Sequence, residues 1–241
     1  PTWEDIQQYI GKAKYFLSLD FKNGYFQMRL HRDVQELFSF TTHRQVLTPT
    51  RIPQGSADAV MFFTYIVLKA FEEKMYKGVV PWLDDLLLYS ETVDGLYELL
   101  VWVLRRAEEK GIKFSPKKTT LLTQSIRFCG KIVSPAGVAV DPERIDALVA
   151  MPMPTRADQL MQFVNAANWI RGSLPEFSRT FAPLQLWLNE SLGEGRRTSR
   201  RAKTIKIQPS DDLEAAFIEA KRLIGNAVLQ AHPRENATLC L

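Results

Sequence analysis

The chain has 241 residues of ordinary globular composition, a length that suits one large domain or two small ones. Its net charge of +4 suggests nucleic-acid binding, but residues 196–206 supply six of the 31 basic side chains. The rest of the chain has 25 basic and 27 acidic residues, which excludes a generally basic surface. The two cysteines and three histidines show no metal-ligand spacing and no disulfide framework, a pattern typical of a reducing compartment.

No membrane segment and no signal region are expected. The longest apolar run, residues 59–68, is too short to span a bilayer. The chain opens at Pro1 without an initiator Met or a basic-then-apolar leader, so we interpret it as a piece of a longer protein.

Hydrophobic periodicity divides the first third of the chain into elements of both kinds. In chain order these are a helix over 3–14, a strand over 15–19, an antiparallel ribbon over 25–48, a loop over 48–55 and a helix over 59–71. The strand ends at Asp20, and Ser56 is expected to cap the second helix, with Gly78 just past its end.

The stretch 79–89 consists of two apolar runs interrupted by Asp84 and Asp85. Such runs are typical of buried strands, so the two acids are predicted at the tip of a hairpin. Asp tolerates turns well, but short hairpins favour Asn-Gly or Asp-Gly and no glycine follows here. The pattern therefore leaves open both a structural turn and a chemical site.

The rest of the chain changes from mixed structure to helices near residue 141. The predicted elements are a helix from 94 to 110, strands over 112–114, 119–122, 126–133 and 138–140, helices over 142–150, 155–171 and 176–190, a linker over 193–206, a helix near 213–224 and a C-terminal strand. Together they predict an α+β class with an antiparallel sheet.

A cluster of acids connects two of the predicted strands. Asp20 and the Asp84-Asp85 pair each stand at the end of a buried strand, so neighbouring strands of one sheet would bring them together. Carboxylates so close would repel unless a cation holds them, and oxygen ligands without His or Cys favour Mg²⁺ or Mn²⁺. Two such ions suit in-line phosphoryl transfer.

Six short motifs resemble those of reverse transcriptases in order and spacing, and the resemblance is greatest to gypsy-type long-terminal-repeat retrotransposons. They are Phe16-Leu17-Ser18-Leu19-Asp20, Gly24-Tyr25, Pro53-Gln54-Gly55, Trp82-Leu83-Asp84-Asp85, Phe128-Cys129-Gly130 and Asp141-Pro142-Glu143-Arg144-Ile145. The resemblance covers residues 1–190, with a weaker match beyond 207. It implies a right-hand polymerase. The palm with partial fingers would cover residues 1–140, and the fingers part of it about 25–78. A helical thumb over 141–190, a basic linker over 191–206 and a short connection segment over 207–241 would follow.

The resemblance implies a role for each residue of the acidic cluster. Two Mg²⁺ ions, with Mn²⁺ as the alternative, would be bound by Asp20, Asp84 and the backbone carbonyl of Phe21, and Asp85 would support the pair. Tyr25 resembles the family's steric gate, which rejects a ribose 2′-hydroxyl, although a part-buried core tyrosine is the ordinary alternative. Gln54 resembles the residue that contacts the incoming nucleotide, and a turn residue before glycine is its alternative.

Further residues resemble primer and template contacts. Phe128, Cys129 and Gly130 match the primer grip, and Trp82 stands beside the primer terminus. In the helix over 155–171, Met161, Asn165 and Trp169 lie in one i, i+4 row away from the apolar stripe. An uncharged row with an aromatic residue suits bases and sugars, whereas contact with another protein domain is the alternative.

The chain also departs from the family pattern. Trp82 stands where the family usually has Tyr, Asn165 stands where it usually has Gly, and the basic residues of the upstream fingers hairpin lie outside the chain. The favoured function is RNA-directed DNA synthesis, and the alternative is a catalytically silent domain that serves a host assembly. A general nucleic-acid binder that uses residues 196–206 is a third reading.

The family also implies partners and a location. The expected partners are an RNA template with a DNA or RNA primer, deoxynucleoside triphosphates, and other polyprotein domains that include a downstream ribonuclease H. The expected location is intracellular, in the cytoplasm or in virus-like particles, with the nucleus as an alternative.

Overall fold

The structure is a computed structural model whose described residues fall into two compact units. The described ranges are 3–193, 198–208 and 210–232. The first unit holds residues 3–129, 133–136 and 232, and the second holds 130–132 together with the described part of 137–231. The palm was expected to end at residue 140, whereas residues from Gly137 onward already belong to the second unit.

The first unit mixes helices with short strands. Its elements are α1 (Trp3–Ile10), β1 (Tyr15–Asp20), α2 (Arg32–Gln35), β2 (Phe40–Thr41), β3 (Val46–Leu47), α3 (Ala59–Phe71), β4 (Val79–Trp82), β5 (Asp85–Ser90), α4 (Val93–Lys110), β6 (Thr120–Thr123) and β7 (Ile126–Phe128). Short 3-10 helices lie at Gly24–Gln27, Glu36–Phe38, Glu72–Lys74 and Pro116–Lys118.

An antiparallel sheet with strand order β4-β5-β1-β6 forms the centre of this unit. Strand β1 pairs with β5 along its whole length, from Tyr15 opposite Ser90 to Asp20 opposite Asp85. Because side chains alternate between the two faces, the leucines of both strands that share a face pack together against α3 and α4. These leucines are Leu17, Leu19, Leu86 and Leu88.

Strand β5 is apolar at four successive positions because both of its faces are buried. Leu87 points to the face opposite Leu86 and Leu88, and all three are fully buried. Burial of each leucine contributes about 1.5–3 kcal/mol. The neighbouring strand β4 lies at one edge of the sheet and contains Pro81.

Helix α4 has the ends that the sequence predicts, whereas α3 has a different start. Thr92 caps α4 by accepting a hydrogen bond from the Gly95 amide, and Gly111, with φ of 69°, ends it in the left-handed region. The prediction that Ser56 caps α3 is wrong. Its Oγ donates to the Pro53 carbonyl, and the helix starts at Ala59 after Asp58.

The ribbon predicted over 25–48 is wrong except at its end. The segment folds into short helical turns, the two-residue strands β2 and β3 pair with each other, and Arg29 makes a single antiparallel bridge to Arg51. The hydroxyl of Thr42 accepts the amides of Arg44 and Gln45, which closes the turn between them. A ribbon needs a face that packs on a core, and this segment leaves Leu37 and Val46 exposed.

Two of the later strands also differ from expectation. Residues 112–114 form no strand, and a single bridge joins Phe114 to Phe21. The strand predicted over 126–133 is divided in two because Cys129 and Gly130 adopt φ of 53° and 71°. These left-handed residues turn the chain between β7 and the following strand.

The second unit is mainly helical. Its strands and helices are β8 (Lys131–Ser134, which crosses the boundary), β9 (Gly137–Val140), α5 (Pro142–Val149), α6 (Ala157–Trp169), α7 (Phe177–Leu192), α8 (Ser199–Ala202) and α9 (Asp211–Gly225). The helices predicted over 142–150, 155–171 and 176–190 are therefore confirmed. Phe163 of α6 lies at the core, with ring centroids 5.9 Å from Phe181 and 4.5 Å from Phe217.

The described part of the stretch expected to be a basic linker is packed against this unit. Ala202 is fully buried, and the Ala157 amide donates to the Ile205 carbonyl. The Ile207 amide donates to the Thr155 carbonyl, so the chain pairs with the start of α6. The sequence did not predict this packing because a few apolar residues, among them Leu192, Ala202 and Ile205, make it within a stretch dominated by charged residues.

The last described residues add a bridge to β9. Val138 and Gln230 exchange both backbone hydrogen bonds at 2.8 Å. The C-terminal strand predicted beyond this point lies outside the described residues, as do the first two basic residues of the 196–206 run. Within the described part of the chain, every helix is too short or too polar to cross a bilayer.

Candidate polymerase active site

The sheet brings two of the predicted catalytic acids face to face. Asp20 ends β1 and Asp85 begins β5, and the two are direct cross-strand partners. Their side chains therefore project from the same face, at a separation of about 5 Å between Cβ atoms. Leu83, with φ of 49°, and Asp84 form the two-residue turn of the hairpin. The prediction that both adjacent acids occupy the tip is corrected, since Asp85 belongs to the strand.

Like charges crowd the Asp85 carboxyl. Burial raises its pKa above the ordinary value of 3.8, and the negative charges of Asp20 and Asp84 raise the pKa further. The Lys118 ammonium acts in the opposite direction. The position of Asp85 thus costs free energy when all three carboxyls are ionised.

Lys118 is a site residue that sequence reasoning missed. Its Nζ lies 3.2 Å from Oδ2 of Asp20, and that carboxylate is mostly buried. Lys118 follows Pro116 in a short 3-10 helix, and the Ser115 amide, which donates to the Asp20 carbonyl at 2.8 Å, ties that helix to the end of β1. Its only signal in the sequence is the Lys117-Lys118 pair after a proline, which also fits an ordinary exposed turn.

The oxygen donors around Asp20 fit a divalent cation. The bridge between Phe21 and Phe114 uses hydrogen bonds of the flanking residues, so the Phe21 carbonyl takes no part in it. Within residues 3–193, 198–208 and 210–232, no group of three His, Cys, Asp or Glu side chains could hold a metal ion by itself. Magnesium usually takes one or two carboxylates together with substrate phosphates, which suits this donor set.

Charge crowding at Asp85 predicts a pH-dependent gain in stability for Asp85→Asn. The pKa of Asp85 is higher in the folded state than its ordinary value of 3.8. The folded state is therefore favoured most below about pH 3.8, and this contribution to the free energy of unfolding is lost as the pH rises through the folded-state pKa. At pH 7 without divalent metal, we therefore expect Asp85→Asn to unfold at higher urea concentration than the wild type. The difference should shrink as the pH falls towards 4.

The control for this experiment is Asp146→Asn, an exposed Asp within α5. We expect this variant to show no comparable gain, since no carboxylate crowding is relieved. Urea unfolding of the three proteins at pH 4, 5.5 and 7 in EDTA measures the effect. A wild type that equals or exceeds Asp85→Asn in stability at pH 7 would contradict it.

Tyr25 lies beside the acidic cluster. Burial raises the pKa of its hydroxyl, and the Asp84 charge raises it further. The ring is half-buried and lies 5.4 Å from that of Phe63 on α3. Gly24 before it is required by packing, since a Cβ there would lie 2.9 Å from the Phe63 ring. Gln54 is exposed in the turn before Gly55, which has φ of 96°.

The predicted primer contacts occupy different environments. Trp82 is half-buried and pairs with Asp85 at the hairpin end. Phe128 is 2% exposed, so its side chain serves the core. Cys129 and Gly130 form the left-handed turn, where only the backbone and a small thiol are presented. Gly130 has φ of 71°, a left-handed conformation that residues with a Cβ rarely adopt, which explains the glycine.

The predicted row on α6 is less uniform than its sequence suggests. Met161 is partly buried against the core, Asn165 is exposed, and Trp169 is 44% exposed. Two cations lie over the Trp169 ring, with Arg144 at 4.3 Å and Lys131 at 5.6 Å from its centroid. The row itself is uncharged, and both cations come from segments that precede α6 in the chain. Such stacking stabilises by about 0.5–2 kcal/mol. Arg144 is exposed and brings positive charge to the surface beside Trp169, whereas Lys131 is buried.

The comparisons with known proteins place these features in a family. A family model described as "Reverse transcriptase (RNA-dependent DNA polymerase)" matches residues 2–133. Among curated proteins, the chain is 25% identical over 241 residues to the retrovirus-related Pol polyprotein from transposon 412 of Drosophila melanogaster, over 100% of this chain and 18% of that protein. It is 26% identical over 227 residues to the Pol polyprotein from the gypsy transposon of the same organism, over 94% of this chain and 22% of that protein.

Solved structures show the same fold. The foamy viral protease-reverse transcriptase in complex with double-stranded DNA matches with a TM-score of 0.84 at 23% identity, over 96% of this chain and 39% of that chain. Its complex with an RNA/DNA hybrid matches with a TM-score of 0.80 at 23% identity, over 94% of this chain and 29% of that chain. These likenesses confirm the predicted α+β palm and thumb fold. The chain spans about a fifth of the length of the curated relatives given above.

Proposed function

Since this chain belongs to the reverse transcriptase (RNA-dependent DNA polymerase) family, with gypsy-type retrotransposon relatives, we propose that it acts in RNA-directed DNA synthesis. The reaction is nucleotidyl transfer from a deoxynucleoside triphosphate to a primer 3′-hydroxyl. The observation that carries the proposal is the placement of Asp20 opposite Asp85, with Asp84 in the adjoining turn. A purely structural turn does not require three neighbouring carboxylates, whose crowding raises the pKa of Asp85.

Asp20, Asp84 and the Phe21 carbonyl are the proposed metal ligands, and Asp85 supports them through its negative charge. Two bound Mg²⁺ ions would supply activation of the primer hydroxyl and charge stabilisation at the triphosphate. Asp20 is held at the end of a fully paired strand, which fixes its position relative to Asp85. The ion pair with Lys118 offsets the charge of the Asp20 carboxylate and holds it in place.

Tyr25 and Gln54 are the proposed nucleotide contacts. Phe63 packs against the Tyr25 ring and supports it. A sugar substituent that approached the Tyr25 ring would therefore meet a rigid surface. We assign it the exclusion of a ribose 2′-hydroxyl. Gln54 is exposed next to a glycine turn, where its amide is free to reach a nucleotide edge or phosphate.

Each of the two units contributes its own proposed nucleic-acid contacts. Trp82, Phe128, Cys129 and Gly130 are assigned to the primer end, either by direct contact or, for the buried Phe128, by support of the turn. Asn165 and Trp169 are assigned to the duplex. The exposed Arg144 next to Trp169 adds attraction for phosphates, which dominates affinity in such complexes. Met161 is partly buried against the core, so we assign it the support of this surface rather than direct contact.

The proposed partners follow from the relatives. They are an RNA template with a DNA or RNA primer, deoxynucleoside triphosphates, and the other domains of a Pol polyprotein, including a ribonuclease H. The proposed location is intracellular, in the cytoplasm or in virus-like particles, with the nucleus as the alternative.

The test is extension of a labelled primer on an RNA template by the full-length protein with Mg²⁺ and dNTPs. We expect extension that stops in EDTA. Duplex binding without extension would contradict the enzymatic proposal and favour a silent domain that serves a host assembly.

A further inference from the structure

The side chain of Gln27 fastens the chain that follows Asp20 to a distant segment. Its Nε2 donates to the Lys22 carbonyl at 2.6 Å and to the Lys113 carbonyl at 2.8 Å. Its Oε1 accepts the Lys113 amide at 2.7 Å. All three are short, well-formed hydrogen bonds, and together they use both functions of the amide.

These bonds lie next to the proposed metal ligands. Lys22 follows Phe21, and its own amide donates to the Lys113 carbonyl at 2.9 Å. The same pair of segments meets in the single bridge between Phe21 and Phe114. The sheet ladder ends at Asp20. Beyond it, Phe21 is held by its own amide, which donates to the Asp84 carbonyl at 3.0 Å, by the bridge to Phe114 and by the Gln27 side chain.

Gln27 also ends the short helix that carries Tyr25. The 3-10 helix spans Gly24–Gln27, so a fixed Gln27 side chain fixes the turn beneath the Tyr25 ring. The backbone carbonyl of Gln27 accepts a separate hydrogen bond from the Arg51 guanidinium at 2.8 Å. The metal ligand Phe21 and the nucleotide contact Tyr25 thus depend on one amide.

We propose that Gln27 is a positioning residue that sets Phe21 and Tyr25 relative to Asp20 and thereby determines discrimination between deoxyribose and ribose. It touches neither metal nor nucleotide in this proposal, and acts through the backbone of Lys22 and Lys113. The part of the inference that concerns sugar discrimination rests on the proposed polymerase function.

The location of Gln27 allows its effect on the position of Phe21 to be measured apart from its effect on the stability of the fold. The hydrogen bonds lie at an exposed edge, where water can replace the lost partners. Removal of the amide should therefore leave the fold intact while it frees the segment after Asp20. A chain displacement well under 1 Å is enough to matter, since a misplacement of about 1 Å can cost roughly 100-fold in rate.

The first measurement is amide hydrogen exchange in the full chain, which needs no activity. In Gln27→Leu we expect the amides of Phe21 and Lys22 to exchange about tenfold faster than in the wild type. The Lys22 amide donates to the Lys113 carbonyl, which also accepts from Nε2 of Gln27, whereas the Phe21 amide donates to the Asp84 carbonyl, an acceptor from which the substitution removes no hydrogen bond. Faster exchange at Phe21 would therefore report displacement of the segment. Unchanged exchange at both amides would overturn the proposal.

The matched control is Gln35→Leu. Gln35 is also a glutamine that donates from Nε2 to the carbonyl five residues earlier, Leu30, at 3.0 Å, but it lies away from Asp20 in sequence and makes one bond. We expect Gln35→Leu to leave the exchange of Phe21 and Lys22 unchanged. Equal acceleration by both variants would show general loosening and would also overturn the proposal.

The second measurement is the ratio of kcat/KM for a deoxynucleotide to that for the matching ribonucleotide. We expect Gln27→Leu to lower this ratio about tenfold, with Tyr25→Val as the reference for full loss and Gln35→Leu unchanged. A wild type without polymerase activity, together with faster exchange in Gln27→Leu, would refute the proposed function and leave the positioning role standing. An active Gln27→Leu with wild-type discrimination would overturn the specificity role.

Discussion

Replacement of Asp84 by Asn should abolish primer extension, with kcat reduced by about 1,000-fold or more. Asn keeps the shape of the side chain but supplies no negative charge, so the proposed metal pair loses a ligand and its charge balance. A metal ion that stabilises charge in a transition state contributes several kcal/mol, and each 1.36 kcal/mol corresponds to about a tenfold change in rate. Single-turnover primer extension with saturating primer–template measures the chemical step directly.

The fold of Asp84→Asn should remain intact because Asp84 is exposed in the two-residue turn. Its urea midpoint should match or exceed that of the wild type, since one of the charges that crowd Asp85 is removed. Asp94→Asn, in the first turn of α4, serves as a matched change outside the site and should extend primers normally. Wild-type extension by Asp84→Asn would show that the proposed mechanism is wrong.

Replacement of Phe163 by Ala should destabilise the second unit by about 3–5 kcal/mol, the cost typical of a buried Phe-to-Ala change. Phe163 is 1% exposed and its ring contacts both Phe181 of α7 and Phe217 of α9. The cavity would therefore open where three helices meet, and no single helix could shift to close it. Urea unfolding followed by far-UV circular dichroism should show the helical transition at lower denaturant concentration.

Phe62→Ala provides the control for the loss of an aromatic ring within a helix. Phe62 lies in α3 and is 46% exposed, so its removal should change the unfolding free energy by no more than about 0.5–1 kcal/mol. A cost for Phe163→Ala as small as that for Phe62→Ala would mean that the helices of the second unit do not share one core.

The acidic cluster could be found from the sequence because its members carry their own signal. Asp20, Asp84 and Asp85 interrupt or end apolar runs, and the pairing of two such strands follows from their pattern. Lys118 and Gln27 carry no such signal. Lys118 meets Asp20 across 98 residues of chain, and Gln27 meets Lys113 across 86, so only the fold reveals these contacts.

The elements that the sequence predicted well are those with one buried face. Helices α4 to α7 have apolar stripes and clear ends, and their bounds agree with expectation within about two residues. The segment over 25–48 was predicted wrongly because its apolar residues are spread over exposed turns, where periodicity has no physical meaning. The glycine and cysteine turn at 129–130 was missed because a continuous apolar run conceals a left-handed bend.

Pro81 has a consequence for how this protein meets other chains. It lies in β4, at one edge of the four-stranded sheet, opposite Leu86 of β5. A proline lacks the amide hydrogen that an added strand would need, and prolines on edge strands are a common safeguard against strand-to-strand association. The sheet that carries the acidic cluster is therefore poorly suited to the addition of a strand from another chain along β4.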